Sequence, residues 1–230
     1  MERYAVTHHR LVLVLPMLLA AGWAAAQPIA CPDSRFVVEA ASPHLQATLC
    51  EAAVAAADRL LLCGLSQTRP VTLRIVDTVS HPVADCLAAY DCDFDRIRIT
   101  APERYAELLA PDTAYGALPP EVLLRSLLAH ELSHALLDQS AQGRPVDVVD
   151  HEYIAAAMEL DLMPPAWRGV ILDAARLETP REGLINIWIY RLEPRRFSAN
   201  AWLHFSAEGN GCDLVRRIVD GEATFARPEN

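Results

Sequence analysis

The sequence predicts an α+β fold in which a small sheet is followed by a series of helices. One helix and a few strand-like runs come before residue 101, and mostly helical segments follow residue 119. No internal repeat or low-complexity linker interrupts this order. Strands that are grouped apart from most of the helices are typical of α+β domains, whereas strict alternation predicts a parallel α/β sheet.

The first predicted helix covers residues 43–63. Ser42 is suited to the N-cap, Pro43 to the first turn and Gly64 to the C-terminal cap, and the body is rich in alanine and leucine. Residues 71–79 then read as a strand, and in 95–100 isoleucine alternates with arginine. This alternation predicts a strand that is buried on one face only.

Helical composition and the placement of prolines predict the later elements. The clearest are a long helix that begins at Pro120 and a helix that must end before Pro164. Residues 184–190 are compatible with either a strand or a buried helical piece. The helices predicted after residue 100 are 102–110, 120–139, 147–162, 193–208 and 212–221.

Residues 1–26 have the layout of a secretory signal peptide. Two arginines precede an apolar run, and three alanines then fit a cleavage site between Ala26 and Gln27. The run is shorter than the roughly 20 residues that a membrane span needs, and an uncleaved anchor is the alternative. We therefore expect one domain, residues 27–230, in the periplasm or the medium, with no stable membrane insertion after cleavage.

The cysteines and the charge limit the class of protein further. Six cysteines follow the expected cleavage site, which in an exported chain predicts three disulfides and disfavours a zinc–cysteine site. Cys50 and Cys63 would lie about 20 Å apart in one helix and cannot pair, whereas Cys86 and Cys92 flank a short turn and could pair. The formal net charge of −10 argues against nucleic acid or anionic lipid as the main partner.

The segment AHELSHALL, residues 129–137, contains the strongest functional signal. His130 and His134 are four residues apart and Glu131 follows the first of them, which is the HExxH spacing. The composition of the chain gives roughly 0.02 chance matches to this pattern. On a helix, both imidazoles share one face and can bind one zinc ion, with Glu131 beside it as a candidate general base. The alternative is a pair of histidines that hydrogen-bond on a polar helix face.

The third ligand is not fixed by spacing. The pattern HExxHxxGxxH fails, because Leu137 and Ser140 stand where glycine and histidine are needed. The next helix offers His151 and Glu152, and both residue types bind zinc. Adjacent helical residues point about 100° apart, so only one of the two is expected to join the site.

The segment HEYIAAAME, residues 151–159, resembles the second zinc helix of gluzincin peptidases, in particular the aminopeptidase type. The resemblance implies that Glu152 is the third ligand, that Glu159 is the later acidic residue of that helix, and that His151 replaces an asparagine. His151 would then support the ligands or line the cleft, and it stays the alternative ligand.

This resemblance covers roughly residues 120–162. It implies a zincin-like fold in which a small sheet precedes the HExxH helix, a second zinc-ligand helix and C-terminal helices. The same layout is similar to small exported bacterial gluzincin-like proteins of uncharacterised function. No GxMEN-type segment is present in the chain, so aminopeptidase activity is not implied.

Other polar residues have weaker assignments. A peptidase of this type needs a donor for the oxyanion, and Tyr153, Tyr190 and His204 are the candidates; we retain His204 as a possible donor, although it is also suited to core packing. Asp147 and Asp150 are expected to cap the second zinc helix.

The acidic segment DCDFD, residues 91–95, looks like the start of a calcium loop. Arg96 and Pro102 stand where an EF-hand requires glycine and glutamate. We expect an edge turn with solvated carboxylates.

These patterns predict an exported metallohydrolase with one zinc ion and a peptide or protein substrate. Glu131 would take a proton from the water that zinc activates and deliver it to the leaving amine. An extended peptide would pair with an edge strand such as 95–100. The alternative is a non-catalytic secreted zinc-binding domain with a degenerate protease-like site.

Overall fold

The computed structural model describes residues 28–80 and 85–226, so the expected signal peptide lies outside the described residues. The strands are β1 (Ile29–Ala30), β2 (Phe36–Glu39), β3 (Val71–Val76), β4 (Val79–Ser80), β5 (Asp85–Cys86), β6 (Ala88–Asp91) and β7 (Arg96–Thr100). The α-helices are α1 (Pro43–Leu62), α2 (Tyr105–Leu108), α3 (Pro120–Ala141), α4 (Val148–Leu162), α5 (Pro165–Ala175), α6 (Ile187–Leu192), α7 (Pro194–Phe205) and α8 (Gly211–Val219). Short 3-10 turns cover Cys92–Phe94, Pro102–Arg104 and Glu182–Leu184.

Five strands form a mixed sheet in the order β1-β2-β3-β7-β6, and β4 pairs separately with β5. The inner strands β2, β3 and β7 are parallel, whereas β1 and β6 pair antiparallel at the two edges. A small sheet followed by helices confirms the coarse α+β prediction. The separation of helices from strands is incomplete, however, because α1 is the crossover that joins the parallel strands β2 and β3.

The choice of 95–100 as an edge strand was wrong. The observed strand β7 lies between β3 and β6, and β6 is the edge of the sheet. The sequence AAYD of β6 contains two alanines and an aspartate, residues that are depleted in strands, so it gave no strand signal.

One face of the sheet packs against α1 and α3. Leu73, Ile97 and Ile99 are fully buried on this face, while the arginines that alternate with them point the other way and are half-buried. The alternation in 95–100 therefore predicted the buried face correctly, and the sheet supports the back of α3.

Helix α4 is the most buried of the helices that the structure describes. Its residues 153–160 are all buried, and it packs between α3 and α7. The Asp147 side chain accepts from the Val149 N–H at 3.3 Å and caps the helix as predicted. Asp150 has a different role: it accepts from the Thr224 hydroxyl at 2.6 Å and the Phe225 N–H at 2.7 Å, which ties the C-terminal segment to α4.

The remaining helices agree with the prediction except in two places. Residues 184–190 do not form a strand. Asn186 caps the short helix α6, whose residues are half-buried or exposed, so the helical alternative was right in type but not in burial. Helix α5 was not predicted, although Pro165 stands at its first turn.

Two disulfides are present in the described residues, Cys31–Cys50 and Cys63–Cys212. Cys50 and Cys63 are not joined to each other, as the helix geometry predicted. Cys92 has an exposed free thiol, so the prediction of three disulfides is wrong. The two bridges suit the exported location that the N-terminal sequence predicts.

Within the described ranges, no helix combines the length and the apolar character that a membrane span requires.

Removal of the Cys63–Cys212 bridge should destabilise the fold, because it joins α1 to α8 across 149 residues. We expect the variant Cys63→Ala/Cys212→Ala to lose about 2–5 kcal/mol of unfolding free energy in denaturant titrations. Cys92→Ala, at the exposed thiol, is the control and should leave that energy unchanged. Equal stability of the double variant and the wild type would show that the bridge does not constrain the fold.

Candidate metal centre

Three side chains from α3 and α4 form a compact cluster. His130 and His134 project from one face of α3, with their ring centroids 5.0 Å apart, and Glu152 faces them from α4. One ligand atom from each of these residues lies within 4.8 Å of the others. The structure therefore brings together the three residues that were predicted to bind metal.

The Glu152 carboxylate is positioned for a cation. Its Oε2 lies 3.6 Å from His130 Nε2, and its Oε1 lies 3.8 Å from His134 Nε2, and both distances are too long for hydrogen bonds. Oε2 is buried and has no hydrogen-bond partner among the described residues. A buried carboxylate oxygen without a partner is costly, and a metal ion between these three side chains would satisfy it.

The electrostatic state of the cluster suits metal binding. Burial, with the neighbouring His130, lowers the pKa of His134 to about 3, so its imidazole is neutral and can offer a lone pair. Burial acts to raise the pKa of Glu152, but His130 and His134 outweigh it, and the pKa lies below its ordinary value. The carboxylate is therefore ionised at neutral pH.

His130 is oriented from behind by Glu159. The Glu159 Oε2 lies 3.0 Å from His130 Nδ1, and its Oε1 accepts from the Ser126 hydroxyl at 2.9 Å. A hydrogen bond at Nδ1 fixes the tautomer that leaves Nε2 free as a ligand. Burial opposes the protonation of His130, but Glu152 and Glu159 outweigh it and raise its pKa well above the ordinary value in the metal-free chain.

His151 lies beside the cluster but outside it. Its ring centroid is 5.7 Å from that of His134, and it is not one of the three residues whose ligand atoms converge. Burial lowers the pKa of His151, which favours a neutral ring at the edge of the site. The geometry thus favours Glu152 as the third ligand.

Glu131 is buried next to the cluster and is held by a backbone group. Its Oε2 accepts from the Tyr90 N–H of β6 at 2.8 Å. Burial raises the pKa of Glu131 to about 7, although His130 acts in the opposite direction. A carboxylate with this pKa can exchange a proton near neutral pH.

The three predicted oxyanion donors lie in different places. His204 contacts Tyr153, whose hydroxyl oxygen is 3.0 Å from His204 Nδ1, and both rings pack against Phe225. None of the contacts described for His204 is with the cluster; its partner Tyr153 follows Glu152 on α4 and is turned about 100° away from it. Tyr190 on α6 instead interacts with the Glu152 carboxylate.

The acidic segment 91–95 forms the predicted edge turn, between the edge strand β6 and β7, and Asp93 is exposed as expected, but Asp91 and Asp95 are not solvated carboxylates. Asp91 pairs with Arg96 at 2.8 Å, and Asp95 accepts from Arg69 at 2.6 and 3.0 Å. Asp95 is thus a hydrogen-bonded anchor and not a solvated carboxylate. Sequence alone gave no signal for this role, because Arg69 is 26 residues away.

The ligand assignment can be tested by the metal content of the purified protein, measured by mass spectrometry. We expect one divalent ion per chain in the wild type, loss of the ion in Glu152→Ala, and retention in His151→Ala, which changes the neighbouring residue. Retention in Glu152→Ala with loss in His151→Ala would show that His151 is the ligand. A metal-free wild type would contradict the site as a whole.

Comparison with known proteins gives a family but no activity. A model of a family of unknown function (DUF6639) matches residues 36–228, which include the whole cluster. No curated protein and no solved structure matches the chain. Because the match extends from β2 to the end of the described residues, the chain belongs to this family of unknown function (DUF6639).

Proposed function

We propose that the protein is an exported zinc-dependent peptidase in which His130, His134 and Glu152 bind one zinc ion and Glu131 is the general base. The observation that carries this proposal is the buried Glu152 Oε2, which lacks a hydrogen-bond partner within the described part of the chain and faces two imidazoles. The contact of Glu159 with His130 adds support, since the likeness to the gluzincin helix includes this acidic residue.

The donor set fits zinc better than a harder cation. Two imidazole nitrogens and one carboxylate are ligands of catalytic zinc sites, which keep a fourth position open. Calcium and magnesium prefer sites built of oxygen atoms. When bound, zinc would polarise the scissile carbonyl and lower the pKa of the attacking water.

Glu131 would perform the proton transfers of hydrolysis. It would take a proton from the attacking water and then give that proton to the leaving amine. A nearby cation would draw its raised pKa downward, which keeps the carboxylate ionised and basic at neutral pH. Burial excludes bulk water and strengthens these interactions.

Of the three candidate donors, we assign the oxyanion to Tyr190, because it is the one that affects the pKa of a cluster residue, Glu152. Tyr190 lies on α6 and interacts with the Glu152 carboxylate, whereas the described contacts of His204 are with Tyr153, Phe225 and Asn210. Burial, together with Glu152, raises the pKa of Tyr190 well above its ordinary value, so the hydroxyl keeps its proton and can donate. A donor aimed at the developing charge contributes more in the transition state than in the ground state.

The substrate in this proposal is a peptide or protein in extended form. The edge available for strand addition is β6, which lies against α3 near Glu131. The strand that was predicted for this role, 95–100, cannot take it, because β7 is paired on both sides, with β3 and with β6. The other hypothesis is a zinc-binding domain without activity, which has the same metal ligands. Assays of peptide hydrolysis by the wild type and Glu131→Gln distinguish it from the peptidase.

Glu131→Gln should abolish hydrolysis without removing the metal, because an amide cannot accept the proton but still accepts the Tyr90 hydrogen bond. We expect a loss of about 10²–10⁴-fold in kcat on a peptide library, with unchanged zinc content. Hydrolysis by this variant at the wild-type rate would contradict the assignment of Glu131 as the general base. A wild type that binds zinc but cleaves no peptide would favour the non-catalytic domain.

Tyr190→Phe should lower kcat by about 10²-fold and change KM little, since the hydroxyl acts mainly in the transition state. Tyr153→Phe is a matched control, because that hydroxyl contacts His204 and not the cluster. The measurement is kcat and KM of both variants from steady-state kinetics. Similar effects of the two substitutions would reject Tyr190 as the donor.

A further inference from the structure

Tyr90 connects the edge of the sheet to the general base. In the antiparallel pairing of β6 with β7, the backbone N–H and C=O groups of every second residue point toward the partner strand. The Tyr90 N–H points away from β7, toward α3, and donates to Glu131 Oε2 at 2.8 Å. The outward N–H groups of an edge strand ordinarily bond to solvent or to another strand. The Tyr90 N–H instead bonds to the buried Glu131 carboxylate.

The side chain of Tyr90 fixes the position of this amide. The phenol oxygen lies 3.1 Å from Asp95 Oδ1 and 3.3 Å from Asp138 Oδ2. Asp138 stands one helical turn after His134 on α3, so the phenol joins β6 to the helix that carries the metal ligands. Burial and the two carboxylates raise the pKa of Tyr90, which keeps the hydroxyl a donor.

The two carboxylates are in turn held in place. Arg69 donates to both oxygens of Asp95, and one of its nitrogens lies 3.6 Å from Asp138. Gln139 also donates to Asp95, at 3.1 Å, and its oxygen accepts from the N–H groups of Thr68 and Arg69. The anchor of the Tyr90 phenol is therefore a network that reaches from α3 to the segment before β3.

We propose that Tyr90 is a positioning residue that holds Glu131 in the orientation needed for proton transfer. The inference rests on the proposed function for its chemical meaning. The Tyr90 amide fixes one carboxylate oxygen, and among the described residues only this oxygen of Glu131 has a protein donor. The other oxygen stays available to the attacking water, and the phenol network prevents β6 from moving the amide away.

The arrangement also limits how a peptide can pair with β6. The amide of Tyr90 is already used by Glu131, so a substrate strand cannot take its hydrogen bond without releasing the general base. Ala88 faces the same way two residues earlier, and its amide is the next outward donor of this edge. Backbone recognition of the substrate is thus expected to involve Ala88 in preference to Tyr90.

The contact can be measured without any turnover, by amide hydrogen exchange in the zinc-loaded protein. We expect the Tyr90 amide to exchange slowly in the wild type and about tenfold or more faster in Glu131→Ala, which removes the acceptor. The amides of Ala89 and Asp91, which face β7, are internal controls and should keep their rates. Equal exchange of the Tyr90 amide in both proteins would overturn the proposal.

The effect of Tyr90 on proton transfer by Glu131 is tested by Tyr90→Phe, which keeps the backbone amide and removes the hydroxyl that anchors it. We expect kcat to fall by about tenfold, in line with the loss of one hydrogen bond to a charged group, with KM and zinc affinity unchanged. Tyr105→Phe is the control, because the buried Tyr105 hydroxyl has no hydrogen-bond partner among the described residues. A lower melting temperature with unchanged kcat would show that Tyr90 is only structural and would reject the proposal.

The two measurements separate this inference from the proposed function. A wild type without peptidase activity would refute the proposed function, while a protected Tyr90 amide would still establish the contact. An active wild type whose Tyr90 amide is unprotected would refute the positioning role alone.

Discussion

The packing of α3 against α4 is the contact on which the rest of the structure depends. It places two imidazoles and one carboxylate face to face in a half-buried position, where the Glu152 Oε2 atom is shielded from water. The sheet supports α3 from behind, and α7 supports α4 on the other side. Because both helices are held in this way, the packing keeps the three side chains in their converging arrangement.

The outer hydrogen bonds show how this arrangement is maintained. Glu159 orients His130, and Ser126 in turn orients Glu159, so one imidazole of the cluster is fixed by hydrogen bonds that stay within α3 and α4. Glu131 is fixed differently, by a backbone amide of the sheet. The site therefore combines side chains of two helices with one strand edge, and a displacement of β6 would move Glu131 before it moves His130, His134 or Glu152.

Much of the cluster could be predicted, because helical spacing alone places His130 and His134 on one face and the resemblance pointed to Glu152. Prolines and caps likewise located the long helices. Residues whose roles depend on distant partners could not be predicted: Asp95 needs Arg69, and His204 needs Tyr153. The edge strand β6 was missed since its residues have weak strand propensity and its pairing with β7 is tertiary. A backbone donor such as the Tyr90 amide has no sequence signature at all.

The tie between Asp150 and the C-terminal segment has a consequence for the order of folding. Asp150 stands two residues before Glu152, and its hydrogen-bond donors, Thr224 and Phe225, are among the last residues that the structure describes. A chain that emerges from the ribosome, or crosses a membrane, from its N-terminus first cannot complete this helix environment until those residues arrive. The surroundings of Asp150 are therefore completed only when this segment folds back on α4, and a variant that lacks Thr224 and Phe225 would leave the buried Asp150 carboxylate without these donors, two residues from Glu152.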